Sequence, residues 1–252
     1  MSGSRARKER QARRSLPLRF VNADAVYRSA DAVLGVDLSD HKFRNRAVQV
    51  VTGLCRAGFA QSKVIATLAR ADLLSAAAPN RRLMDEIVLR LNWLEGLTRD
   101  ERRKAADTML AKDRTDTNKL IEYLRGDGHE VDFDVEEMNA FELDDATKGA
   151  IHQQATKLRA AVEASGVKPG TIYSMWLEET KFAHASGGLA GKYAPTHDDI
   201  HMSNGTPSPM DPDLEAHRIL QTIIVMTTCR ILVEEGFPEE TANRLAVAFF
   251  GE

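Results

Sequence analysis

A phenol, a hydroxyl and an imidazole fall at helical spacing in this chain, and together they suggest acid–base chemistry. Tyr173, Leu177, Thr180 and His184 are separated by four, three and four residues, which places them on one face of a predicted helix. Histidine titrates nearest neutral pH and is the natural general base or acid on such a face. Arg82, Glu86 and Arg90 repeat every four residues on an earlier predicted helix, with Trp93 a turn further on. If solvated, that row is a ladder of weak ion pairs. Turned towards a cleft, it becomes a charged pocket wall. His184, Glu86, Arg82 and Tyr173 are therefore the candidate catalytic residues, with His184 as base or acid and Arg82 stabilising anionic charge. The sequence places no neighbouring nucleophile or carboxylate that would complete a triad with His184.

A second group lies in the segment GLAGKYAPTHDDIHMSNGTPSP, where His197, Asp198, Asp199 and His201 offer four ligands within five residues. Zinc and iron favour imidazole and carboxylate, so His197 and His201 are the candidate metal ligands. The helical HExxH spacing is absent, and a solvated, turn-forming loop is the simpler reading. No cofactor is predicted, and a divalent metal on these histidines is kept open. A loop of this length, ordered over the His184 face, would act as a lid.

The elements that must position these residues read as helices almost throughout. Asn22 or Asp24 is expected to cap a helix ending at Gly35, and Ser39 or Asp40 a second that Gly58 terminates. A third is predicted over residues 62–77, stopped by Pro79. Asn80 would cap a fourth, with Met84, Ile87, Val88, Leu91 and Leu94 on one face and Gly96 at its end. Thr98 and Glu101 have the offset of a capping box before a long charged helix reaching about residue 124. Further helices are predicted over residues 144–165, 170–186 and 212–235, and a last one from Pro238 to about Phe250. The pattern predicts an all-α fold, a multi-helix bundle or orthogonal array of about eight helices. Residues 22–252 form one expected domain, preceded by a basic arm at 1–21. It carries an acidic loop at 127–143 and a Gly/Pro/His loop at 187–210.

Composition narrows the function classes. The 252-residue chain has a net charge of −3, so it lacks an overall attraction to nucleic acid or anionic lipid. Nucleic-acid binding would have to come from the arm, where Arg5, Arg7, Lys8, Arg10, Arg13 and Arg14 cluster. The two cysteines, Cys55 and Cys229, sit in apolar stretches and form no metal or disulfide pattern, so a reducing cytoplasm is the expected compartment. No secretory h-region follows the basic start, and the apolar run at residues 223–226 is far too short for a bilayer. The phosphate loop, the dinucleotide fingerprint, the GxSxG elbow and zinc-finger patterns are all missing. Apolar helix faces, such as that at residues 219–232, are the expected surfaces for a protein partner or for homo-oligomers.

The stretches RNRAVQVVTGLCRAGF and SAAAPNRRLMDEIVLRLNWLEG, with the later helix at residues 173–186, resemble a bacterial domain-of-unknown-function family numbered 5677. The matching features are Arg82 and Glu86 four apart before an apolar helix, then a Tyr-x-x-Leu-Ser-like helix whose histidine, here His184, precedes a small residue. The resemblance covers roughly residues 44–190. Trp176-Leu177-Glu178 departs from it where a serine is expected. It implies a helical fold and a polar site from Arg82, Glu86, Tyr173 and His184, without supplying an activity. HEPN-like helical RNases are a more distant comparison. Their arginine and histidine have four to six residues between them, whereas Arg125 and His129 have three. The leading expectation is a binding or sensing component of a bacterial stress or antiphage-defence module. The alternatives are an RNase-like hydrolase using His184, Arg82 and Glu86, and a metal-dependent hydrolase.

Overall fold

The computed structural model describes residues 16–39, 45–131, 149–168, 171–197, 201–203, 205 and 207–251. These residues form α1 (Leu18–Leu34), α2 (Arg46–Arg70), a 3-10 turn (Leu74–Ala77), α3 (Ala78–Glu95) and α4 (Arg99–Gly126). They continue with α5 (Ala150–Thr156), α6 (Leu158–Ser165), α7 (Ile172–Ala183), α8 (Gly187–Tyr193), α9 (Glu215–Glu234) and α10 (Glu239–Phe250). Two-residue strands, β1 (Thr196–His197) and β2 (His201–Met202), pair antiparallel between α8 and α9. The fold is an all-α helical array, as the periodicity predicts. The basic residues of the arm up to Arg14 and most of the acidic loop lie outside the described residues.

Helix α3 is the hub. It packs against α2, α6, α7 and α9, and it buries Met84, Ile87, Val88, Leu89, Leu91, Trp93 and Leu94. One continuous apolar core joins these side chains, Leu89 apart, to Val26 and Val33 of α1, Phe59 and Ile65 of α2, Ile224 and Ile231 of α9, and Leu245 and Phe249 of α10, while Leu89 packs with Leu158 and Val162 of α6. Helix α9 is long and apolar enough to cross a membrane by length and composition. However, 56% of that window is buried inside the fold, the position of a core helix.

Several boundaries differ from the sequence expectation, each for a local reason. Helix α2 runs straight through Gly58. A Cβ there would come within 3.0 Å of Ile224 Cδ1, so this glycine admits α9 rather than ending α2. Pro79 opens α3 instead of closing its predecessor, because the first turn of a helix does not need its N–H. Asn45 caps α2, its side chain accepting from the Val48 N–H at 3.0 Å. Lys157, in an extended conformation, splits the helix expected over residues 144–165 into α5 and α6. Helix α9 begins at Glu215, not Pro212, and the Asp211 carboxylate accepts from the N–H groups of Glu215 and His217. The capping box of Thr98 and Glu101 forms as the spacing predicts.

Candidate functional site

The four-residue row on α3 spans two environments. Arg82 points at α7: its Nε donates to Thr180 Oγ1 at 3.1 Å and its guanidinium lies 5.0 Å from the Trp176 ring. Glu86 Oε2 accepts from Trp176 Nε1 at 3.4 Å and lies 3.8 Å from Arg82 Nη2. Tyr173 stacks on Trp176 with ring centroids 5.7 Å apart. Arg82, Glu86 and Tyr173 therefore meet along the α3–α7 seam, with Trp176 as the common neighbour.

His184 does not join them. Helix α7 ends at Ala183, and His184 is its C-cap, with φ −127° and ψ 155°. The extended backbone carries the imidazole off the helical face on which the spacing places it, and the residue is exposed. Eight residues beyond Trp176, it is roughly 12 Å further along the helix axis. Among the described residues no hydrogen bond or ion pair links it to Glu86 or Arg82. Arg125 lies in the last turn of α4, and the His129 ring lies 3.7 Å from the Asp127 carboxylate.

His197 and His201 are register partners across the β1–β2 ladder. Asp198 and Asp199 lie outside the described residues. Among the described residues no group of three or more His, Cys, Asp or Glu side chains is arranged to hold a metal ion.

The far end of the α3 row opens on a cleft of about 280 Å³ between α3, α4 and α5. Its charged walls are Glu86 and Arg90 from α3 and Lys112 and Asp113 from α4. Leu54, Leu83, Ile87 and Met109 provide its apolar surface. Arg90 is nearly buried, and its Nη1 donates to the carbonyls of Gln154 and Ala155 at 2.8 and 3.0 Å. It thereby holds the C-terminal end of α5 against α3. Its Nε and Nη2 have no partner among the described residues. Desolvation lowers its pKa, while the nearby Glu86 and Asp113 carboxylates oppose that shift.

Two polar groups that sequence reasoning did not single out lie deeper. One residue away from the Arg82 row, Arg81 forms a bidentate pair with Glu179 of α7, at 2.6 and 3.1 Å. Asp85, a turn on, is 1% exposed, and neither carboxyl oxygen has a hydrogen-bond partner among the described residues. Burial, with Glu179 adding to it, pushes its pKa up to about 8, so it is protonated at neutral pH. Behind them His217 Nε2 lies 3.0 Å from Ser62 Oγ. Ser62 Oγ also lies 3.1 Å from the Gly58 carbonyl, an acceptor for its proton within its own helix. Burial lowers the His217 pKa to about 4, the Arg81 charge assisting, and keeps the ring neutral. The sequence did carry a signal for this: His217 shares a helical face with Leu220, Gln221 and Ile224, all buried.

Comparison with protein-family models, with curated proteins and with solved structures finds no match. The resemblance to the family numbered 5677 thus rests on its motifs alone.

Proposed function

We propose that this protein binds a small polar ligand and works as a binding or sensing component rather than through a reaction of its own. The observation that supports this is the cleft between α3, α4 and α5. Two acids and two bases surround an apolar floor there, in a volume at the small end of ligand pockets (about 300–1,000 Å³). Opposite charges on facing walls suit a ligand with both an anionic and a cationic or hydrogen-bonding end, of amino-acid or nucleobase size. The one hydroxyl in the lining, Thr156 Oγ1, donates to the His152 carbonyl at 2.8 Å rather than to a base, which suits recognition more than nucleophilic attack.

The test is thermal unfolding of the full chain with free amino acids, dicarboxylates and nucleoside monophosphates. A binder should raise Tm in a saturable way, and Lys112→Glu or Asp113→Lys should abolish the shift. Either no shift from any member of the panel, or a shift unchanged in both variants, would remove the cleft from consideration.

A further inference from the structure

Helix α9 is apolar on its outer side as well as its inner one. Ile219 is 61% exposed, Met226 41% and Val233 40%. These three are spaced by seven, and half-buried Thr222 and Ile223 lie between the first two. A solvated helix face normally carries charge at such positions, whereas apolar residues repeating every seven form the seam by which two helices associate. The N-terminal half of this stripe opens on an apolar groove of about 370 Å³, where Ile219 and Ile223 face Ile172 and Met175 of α7 and Met210.

We propose that this face of α9 pairs with the same face of a second copy of the chain, antiparallel about a two-fold axis at Met226. The spacing is self-complementary. Ile219 and Val233 stand seven residues on either side of Met226, so an antiparallel pair sets each against the other and Met226 against itself. Charge agrees with that register. Arg218 and Glu234 stand eight residues on either side, have opposite sign, and would meet across the axis twice. Arg218 is exposed and has no ion pair among the described residues. Glu234 is 53% exposed and uses only Oε2, towards Arg102. A parallel pairing would set Arg218 against Arg218. A single helix seam is smaller than a standard interface, and the groove beside Ile219 adds apolar surface at each end. A lipid surface fits less well, because the opposite side of α9 holds Ile224, Val225 and Leu232 in the core.

The experiment is light scattering of the full chain over a broad dilution series, followed by cysteine cross-linking. The parent should be a dimer that dissociates on dilution, and Met226→Glu should be a monomer with an unchanged circular dichroism spectrum. Met226→Cys should cross-link to itself on mild oxidation. Ile219→Cys should cross-link only when mixed with Val233→Cys. The native cysteines are buried and should not interfere. A parent that is monomeric at every concentration overturns the proposal. So does Ile219→Cys cross-linking to itself as readily as Met226→Cys, or a stripe that co-sediments with anionic vesicles instead of dimerising.

Discussion

Two arginine–glutamate pairs draw charge into the interior, Arg102–Glu235 and Arg81–Glu179, and their surroundings differ in one respect. Arg102 is 1% exposed and fully occupied. Its Nε donates to the Leu94 carbonyl at 2.8 Å and its Nη2 to the Leu97 carbonyl at 3.1 Å, while Nη1 meets Glu235 Oε1 at 2.9 Å. Glu235, itself 1% exposed, takes a further bond from Asn45 Nδ2 at 2.8 Å and has Arg99 and Arg103 at 3.4 Å. Every nitrogen of the Arg102 guanidinium has an acceptor, carbonyls left over at the end of α3 among them. Arg81 and Glu179 are paired just as closely, yet Asp85 sits beside them as a second acid without a donor. The first cluster is a closed staple between the ends of α2, α3, α4 and α9. The second holds α7 on α3 and stores a proton.

The largest effect should come from opening the closed cluster. Arg102→Ala leaves the Glu235 carboxylate buried beside weaker partners and should cost about 3–5 kcal/mol in urea unfolding. Asp85→Asn should act in the opposite direction. It keeps a neutral side chain of the same shape without requiring a proton at neutral pH, and should raise stability at pH 7 by about 2–4 kcal/mol. A loss of stability would mean that Asp85 has a donor after all.

The pH dependence sharpens the contrast. The folded pKa of Asp85 is raised from 3.8 to about 8, so between those values the folded chain holds a proton that the unfolded chain releases. Its contribution is full below about pH 4 and is lost as pH rises towards 8. Equilibrium unfolding across that window should show this decline in the parent and a flatter profile in Asp85→Asn. Smaller still, Arg82→Ala removes a half-exposed pair at 3.8 Å and should cost less than about 1 kcal/mol.

His184→Ala should be neutral in stability within about 0.5 kcal/mol, since the side chain is exposed at the end of α7. The same variant decides the hydrolase reading. A nuclease working through His184 would lose RNA cleavage in it with the fold intact, whereas a binding protein has no such activity to lose.

Helical periodicity made most of the fold legible. The apolar face of α3, the Thr98 box and the glycine stops at Gly35, Gly96 and Gly236 all read correctly from residue type and spacing. Gly58 and Pro79 did not, because a glycine or proline has two helical uses. Only the neighbour, Ile224 for one and the start of α3 for the other, selects between them. The site was half legible for a related reason. Steps of four pick out Arg82, Glu86 and Arg90, but they pick out Arg81 and Asp85 equally well. Which row is buried depends on where α7 docks, and no local pattern encodes that. His184 lies outside because the helix ends at Ala183, and the extended backbone at His184 carries it off the face that the spacing assigns it.

The Arg102 staple has a consequence for synthesis. Its partner Glu235 lies 133 residues later in the chain, and Asn45, which braces that carboxylate, lies 190 residues before it. While the ribosome is still making the middle of the protein, the Arg102 guanidinium can reach the carbonyls at the end of α3 but has no carboxylate to neutralise it. The N-terminal half therefore emerges with its central helix unsealed, dependent on water or a chaperone, until nearly the last turn of α9 clears the exit tunnel. Nascent chains arrested before residue 235 should stay sensitive to protease throughout α3, and the full chain released from the ribosome should not.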